Sequence, residues 1–294
     1  MIYQTAADWL QAEHKRVLLF GMSGLGKTHI SNILRAAPKA DGGWFHYSVD
    51  YRIGTRYLGE HITDNFKREA MKNPFLRELL LTDSIYVASN ITFDNLAPLS
   101  TWLGKPGDPA KGGLPFAEYQ RRQTLHHDAE VAALLDTTRF VARAGEIYGY
   151  DHFVCDTGGS ICEVVNPSDP EDPVLRELSD HLLMVWIEGS EAHTEELIRR
   201  FKKAPKPMYY RPDFMAHAWQ AYLAERNVGA AEVDPDDFMA ATYARAMAHR
   251  QPLYAAMAEN WGVRVRADDI ARIKDAEGFT ALIAGALEAR ARPA

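Results

Sequence analysis

The stretch Val17-Leu18-Leu19-Phe20-Gly21-Met22-Ser23-Gly24-Leu25-Gly26-Lys27-Thr28 decides the fold. Val17 to Phe20 is a short apolar run bounded by a glycine, the pattern of a parallel strand buried on both faces. Gly21-x-x-x-x-Gly26-Lys27-Thr28 follows with the spacing of a phosphate-binding P-loop, and Thr28 to Ala37 continues as a helix. The residue types answer to the chemistry. Gly21, Gly24 and Gly26 let the backbone curl so that successive N–H groups point at phosphate oxygens. The positive end of the following helix adds to that field. Lys27 brings a point charge to the β- and γ-phosphates, and the Thr28 hydroxyl suits magnesium. A chance glycine loop would not bring strand, loop and helix in the required order. Gly21, Met22, Ser23, Gly24, Leu25, Gly26, Lys27 and Thr28, with His29 after them, therefore read as the seat of a nucleoside triphosphate.

Composition bounds the rest. A chain of 294 residues, 47% hydrophobic, fills one large α/β domain with insertions. A net charge of −7 argues against general affinity for nucleic acid or anionic membrane. The two cysteines, Cys155 and Cys162, suit thiols in a reducing compartment, not a disulfide scaffold. No apolar run reaches 18 residues and no charged-then-apolar leader opens the chain, so the expected compartment is the cytoplasm.

Around the P-loop, Thr5 to His14 reads as a short amphipathic helix, and Trp44 to Val49 reads as a second strand ending at Asp50. Ligands collect at the carboxyl ends of such strands, so Asp50 is either an acceptor-side carboxylate or a cap. Tyr51 to Lys72 suggests an exposed helix, Asn73-Pro74 breaks it, and Phe75 to Leu81 resumes a helical turn. Ser84 to Ala88 reads as an extra strand or a buried loop. The Gly- and Pro-rich run Gly104 to Gly113 reads as a mobile surface loop, either a lid or an inert insertion.

Pro115 to Ala144 is a long helix whose adjacent His126 and His127 point about 100° apart. They cannot easily share a metal, and read as surface histidines. His152 to Asp156 is the next strand, and Asp156 at its end is a magnesium-side carboxylate or a turn cap. Gly158 and Gly159 allow close approach of a ligand. Leu182 to Ile187 is a fourth strand, followed by a helix from Glu191 to Phe201 capped near Ser190. That helix leads into Arg199, Arg200, Lys202, Lys203 and Lys206; in an acidic chain this basic run favours a phosphate-closing lid over a nucleic-acid patch. Asp213 to Arg226, Pro235 to His249 and Pro252 to Asn260 read as three helices. Val263 to Val265 is a last strand, and Gly278 to Arg290 a closing helix.

Together these segments resemble the shikimate kinase family of P-loop small-molecule kinases. The P-loop carries the resemblance, with Asp50-Tyr51-Arg52-Ile53 and Gly59-Glu60-His61-Ile62 similar to the family's acidic substrate motif. Asp156-Thr157-Gly158-Gly159-Ser160 is similar to its glycine-rich substrate loop. Arg199 with Lys206-Pro207-Met208 is similar to its ATP-side lid, and Arg250-Gln251-Pro252-Leu253-Tyr254 to its Arg-x-Pro-Leu-Tyr segment. Residues 73–115 and 213–248 have no counterpart. Ser48 stands where the family has an acid, Ser160 where it has a third glycine, Lys206 where it has arginine, and its other substrate arginine is matched only loosely by Arg121 or Arg122.

The resemblance implies a P-loop three-layer sandwich, a mostly parallel sheet of about five strands with helical insertions, as a single domain. It implies an ATP- and magnesium-dependent kinase acting on a hydroxyl of a small anionic metabolite. ATP would meet the P-loop, Arg199 and Lys206; magnesium would meet Thr28 and Asp156. Lys27 and Asp50 would be catalytic, and Asp50, Arg122, Gly158, Gly159 and Arg250 would bind the acceptor. The alternative is a P-loop ATPase acting as a switch or partner-binding protein. Neither membrane nor nucleic acid is an expected partner.

Overall fold

A strand as apolar as Val17-Leu18-Leu19-Phe20 has no side to turn to water, and all four residues are fully buried. The computed structural model, which describes residues 1–291, makes this strand the centre of a five-stranded sheet. The strands are β1 (Arg16–Phe20), β2 (Trp44–Ser48), β3 (His152–Asp156), β4 (Leu183–Glu188) and β5 (Gly262–Arg266). Their order is β2-β3-β1-β4-β5, and every pairing is parallel.

Helices cover both faces, which β2 shows residue by residue. Phe45 and Tyr47 point one way and meet Phe140 of the long helix Phe116–Glu146, at ring distances of 6.4 and 5.0 Å. Trp44 points the other way and meets Phe279 of the helix Ala276–Ala291 at 6.1 Å. The fold is the three-layer α/β sandwich that the strand pattern implies. No helix among the described residues is long and apolar enough to cross a membrane.

The chain divides into two compact units. The first, residues 1–49, 134–204 and from 242 onward, holds the sheet. The second comprises residues 50–133 and 205–241 and is helical, with Trp102, Tyr119, Tyr210 and Phe238 in its core. There Phe116 stacks on Trp219 at 4.4 Å with an interplanar angle of 7°. The long helix Phe116–Glu146 belongs to the second unit up to Ala133 and to the first from Leu134.

Several local expectations need correction. Gly104 to Gly113 is irregular, as its composition implies, yet it is held at both ends and in the middle. Gly107 N–H donates to Leu114 O at 2.9 Å, Leu114 N–H to Lys105 O at 2.8 Å, and Asp108 N–H to Val233 O at 2.8 Å. Lys105 pairs with Asp236, and Lys111 with Asp234 at 3.4 Å. Ser84 to Ala88 is neither strand nor buried, with Tyr86 89% exposed. The region from Tyr51 to Lys72 is not one helix: the turn Val49–Arg52 passes into a π-helical turn, Ile53–Tyr57, before the helix Gly59–Ala70. Pro235 to Trp261 is one helix with Pro252 inside it. Proline forfeits one i→i−4 bond there, but Ala246, Met247, Tyr254 and Met257 on either side are buried and hold the axis together.

His126 is the clearest departure. It is 6% exposed and stacks on Tyr209 at 5.2 Å, while His127 stays at the surface. Burial, with the charge of His127 adding to it, pushes the His126 imidazole down to about 4. The folded protein therefore refuses a proton that the unfolded chain accepts below about pH 6.5. This residue withdraws stability as pH falls from 6.5 towards 4, by on the order of 3 kcal/mol at most. Urea denaturation across that range should show a shallower acid loss in His126→Phe than in the parent.

Candidate functional site

Parallel pairing sends every strand's carboxyl end to one edge of the sheet. At that edge the chain leaves β1 at Gly21, β3 at Thr157, β4 at Gly189 and β5 at Ala267. β1 leads into the helix Lys27–Arg35, which packs on β2 and β3, whereas β4 leads to β5 on the opposite side. The ends of β1 and β4 thus flank the place where connections part, the position at which open α/β sheets take ligands.

The loop Gly21 to Gly26 fills that place. Gly21 has φ +133°, and a Cβ on it would stand 2.6 Å from the carbonyl oxygen of Ile187 in β4. Gly26 has φ +100° and begins the helix Lys27–Arg35, where a Cβ would come within 3.0 Å of Ile270 after β5. Ser23, Gly24, Thr28 and His29 are exposed, while Met22, Leu25 and Lys27 are buried. The Lys27 ammonium folds back over its own loop, donating to Gly21 O at 2.7 Å and Met22 O at 2.9 Å.

Three further segments of the first unit meet the loop. The helix Glu191–Lys203 starts from a capping box between Ser190 and His193, and its Leu197 lies 3.1 Å from where a Gly24 Cβ would be. Its far end is anchored by Phe201, stacked on Tyr243 at 3.8 Å and 3°. Arg199 on this helix faces Glu196 at 2.7 Å on the exposed surface.

The turn after β3 is the second segment. Asp156 sits in register with Leu19 of β1, and the Thr157 N–H and hydroxyl both donate to Leu19 O, at 3.2 and 3.1 Å. The position of a Gly159 Cβ would lie 3.5 Å from Ser23 N, 3.6 Å from Arg250 Nη1 and 3.7 Å from Tyr254 Oη. Gly158 beside it is buried.

The third segment brings Arg250. Its guanidinium is 3% exposed, and its Nε donates to the Glu163 carboxylate, which is itself buried. Burial disfavours the arginine's charge, but Glu163, with Tyr254 and Cys162, outweighs that and raises its pKa above the usual value. Arg250 already has an anion. The Tyr254 hydroxyl donates to Gly159 O and ties the same helix to the glycine turn. Cys155 and Cys162 are buried and are not joined in a disulfide.

The loop, Arg199, Asp156, Gly158, Gly159 and Arg250 all belong to the first unit; Asp50, Arg122 and Lys206 belong to the second. Asp50 follows Val49 directly after β2, in the first turn of the short helix Val49–Arg52. Arg122 is 7% exposed and donates to Glu118 at 2.8 Å, to Trp102 O and to Asn65 at 3.2 Å. Arg121 and Arg122, working against burial, hold the Glu118 carboxyl down to about 2. Lys206 is exposed in an irregular segment.

Beside the loop, Glu188, Gly189, Ser190, Arg266 and Asp268 line an open polar crevice of about 220 Å³ at the ends of β4 and β5. Thr28 and Asp156 offer oxygen donors alone, the class magnesium takes while keeping several waters. Among the described residues no group of three or more His, Cys, Asp or Glu side chains could hold a metal by itself. No family model matches the chain, and no curated protein matches it.

Glu163 and Tyr254 carry contacts that motif reading assigns no role. Glu163, three residues past Ser160, carries a sequence cue only in being an acid among Ile161, Cys162 and Val164. Removing one partner of a buried ion pair strands the other charge and costs about 3–5 kcal/mol. Arg250→Ala should therefore lower the denaturation midpoint sharply, whereas a group held ready for a ligand would leave ligand-free stability nearly unchanged. Urea melts of the two proteins separate the cases.

Proposed function

We propose that the protein is an ATP- and magnesium-dependent phosphotransferase that moves the γ-phosphoryl group to a hydroxyl of a small molecule. The observation that carries this reading is the conformation of Gly21 to Thr28 at the head of a helix. Glycine geometry leaves Ser23 and Gly24 exposed, and a lysine ammonium lies over the loop carbonyls. Such a loop suits a polyphosphate because its N–H groups and the helix end favour negative charge.

In this reading Lys27 exchanges its carbonyl partners for phosphate oxygens and stays with the transferring group. A bound magnesium ion would supply positive charge against the charge that develops on the polyphosphate. Thr28 and Asp156 would hold it, directly or through its waters. The acceptor oxygen forms a bond to the γ-phosphorus as the bond to the bridging oxygen of ADP breaks. The acceptor's proton leaves late, and Asp50, one residue beyond Val49, is the group proposed to orient that hydroxyl and take it. Leu197 lies against Gly24 of the loop, and the exposed basic end of its helix would supply the charge that closes over the phosphate side. The turn at Gly159 faces Ser23, which suits approach of an acceptor.

Lys27→Ala should lose at least tenfold in affinity for an ATP analogue while keeping the parent's thermal midpoint, since the side chain serves the loop and not the sheet. Fluorescent-nucleotide titration and a thermal melt measure both. A pooled-metabolite screen for ATP-dependent phosphorylation would then identify the acceptor class. Steady ATP hydrolysis by the parent, unaltered by any metabolite pool, would replace transfer with the ATPase reading.

A further inference from the structure

The carboxylate at the end of β3 has a neighbour that the proposed chemistry has not used. His46 on β2 pairs in register with Val154, and Ser48 with Asp156. Because side chains alternate along a strand, His46 and Ser48 share a face, and so do Val154 and Asp156. His46 therefore stands on the face that Asp156 uses. Its Nε2 lies 3.2 Å from Asp156 Oδ2, with side chains 2% and 10% exposed. Below it on the same face, Trp44 packs against His152 with ring centroids 5.0 Å apart.

We infer that His46 is a positioning residue for Asp156, holding Oδ2 so that Oδ1 is presented to the hydration shell of a magnesium ion carried by the nucleotide. This rests on the reading of Gly21 to Thr28 as a phosphate loop. Three observations carry it. Ser48, directly across the ladder from Asp156, is a neutral hydroxyl, so this pair of positions supplies one carboxylate and its orientation counts. The backbone after Asp156 is fixed by the two Thr157 contacts to Leu19 O, which leaves rotation about the side chain's own bonds as the remaining freedom. The imidazole sits against one oxygen and restricts that rotation. Octahedral magnesium tolerates little error in where its waters are held, and removing an outer partner of a metal-supporting group typically costs 10- to 100-fold in metal affinity.

A buried His–Asp contact that merely fills the core would behave differently, and the test is built on that difference. Magnesium is titrated against binding of a fluorescent ATP analogue to the full chain, for the parent, His46→Ala and His46→Gln, with ligand-free thermal melts alongside. The expected result is a magnesium midpoint raised about tenfold or more in His46→Ala. Analogue affinity in EDTA should stay at the parent's value, with partial recovery in His46→Gln, whose amide puts a polar group back beside Oδ2. An unchanged midpoint in His46→Ala, or a loss of affinity equal with and without magnesium, overturns the inference and leaves His46 a core residue. A parent that binds no analogue under any condition overturns the phosphate-loop reading instead, and this one with it. If His46→Ala does not fold, ring ¹⁵N resonances of His46 in the parent decide. They should move when magnesium joins the nucleotide complex, and no movement overturns the proposal.

Discussion

The first unit turns on how closely β1 and β4 approach where the chain leaves the sheet. A Cβ on Gly21 would stand 2.6 Å from Ile187 O, closer than real Cβ atoms come to anything, and the residue's φ of +133° is strained for any side chain. With glycine there, the chain turns directly off the end of β1 and the loop lies across the carboxyl edge of the sheet. The other candidate segments of the first unit are placed relative to that turn. Ile270 after β5 limits Gly26, Leu197 covers Gly24, and the turn after β3 reaches Ser23. All-parallel pairing makes this convergence possible, because it brings the end of each strand to the same edge.

The polar interior of the first unit is organised as buried pairs. Arg250 meets Glu163, and His46 meets Asp156. A buried charge without a partner is expensive, so Arg250 and Glu163 persist there only together. The two do different work. Glu163 satisfies an arginine that motif reading assigns to a ligand, and with Tyr254 it ties the helix Pro235–Trp261 to the glycine turn. His46 touches the one carboxylate that stands at the end of β3, beside β1.

The second unit shows how a segment poor in apolar residues can still be ordered. Gly104 to Gly113 has little to bury, but its backbone finds Val233 and its lysines find Asp234 and Asp236. Buried Arg122 is likewise satisfied by a carboxylate on its own helix and by a carbonyl and an amide from two other helices. Directional polar contacts here do what apolar area does in the sheet.

The sequence by itself determined the five strands, the glycine turn that follows β1 and the chain's α/β class. Those features depend on local patterns: unbroken apolar runs for strands buried on both faces, and glycines at positions that need φ above zero. Ser190 as a helix cap and Asp156 at a strand end were legible for the same reason. Only the tertiary structure decided what is buried and with whom. His126 looks like its neighbour His127 in sequence, yet Tyr209 covers one ring far more than the other. Pro252 reads as a helix start, yet buried side chains on both sides carry the helix through it. Arg250 resembles an acceptor-binding arginine, and its buried partner, Glu163, lies 87 residues away along the chain. Pairings of that kind depend on strand order and register, which bring distant segments together and which no local pattern of residue types encodes.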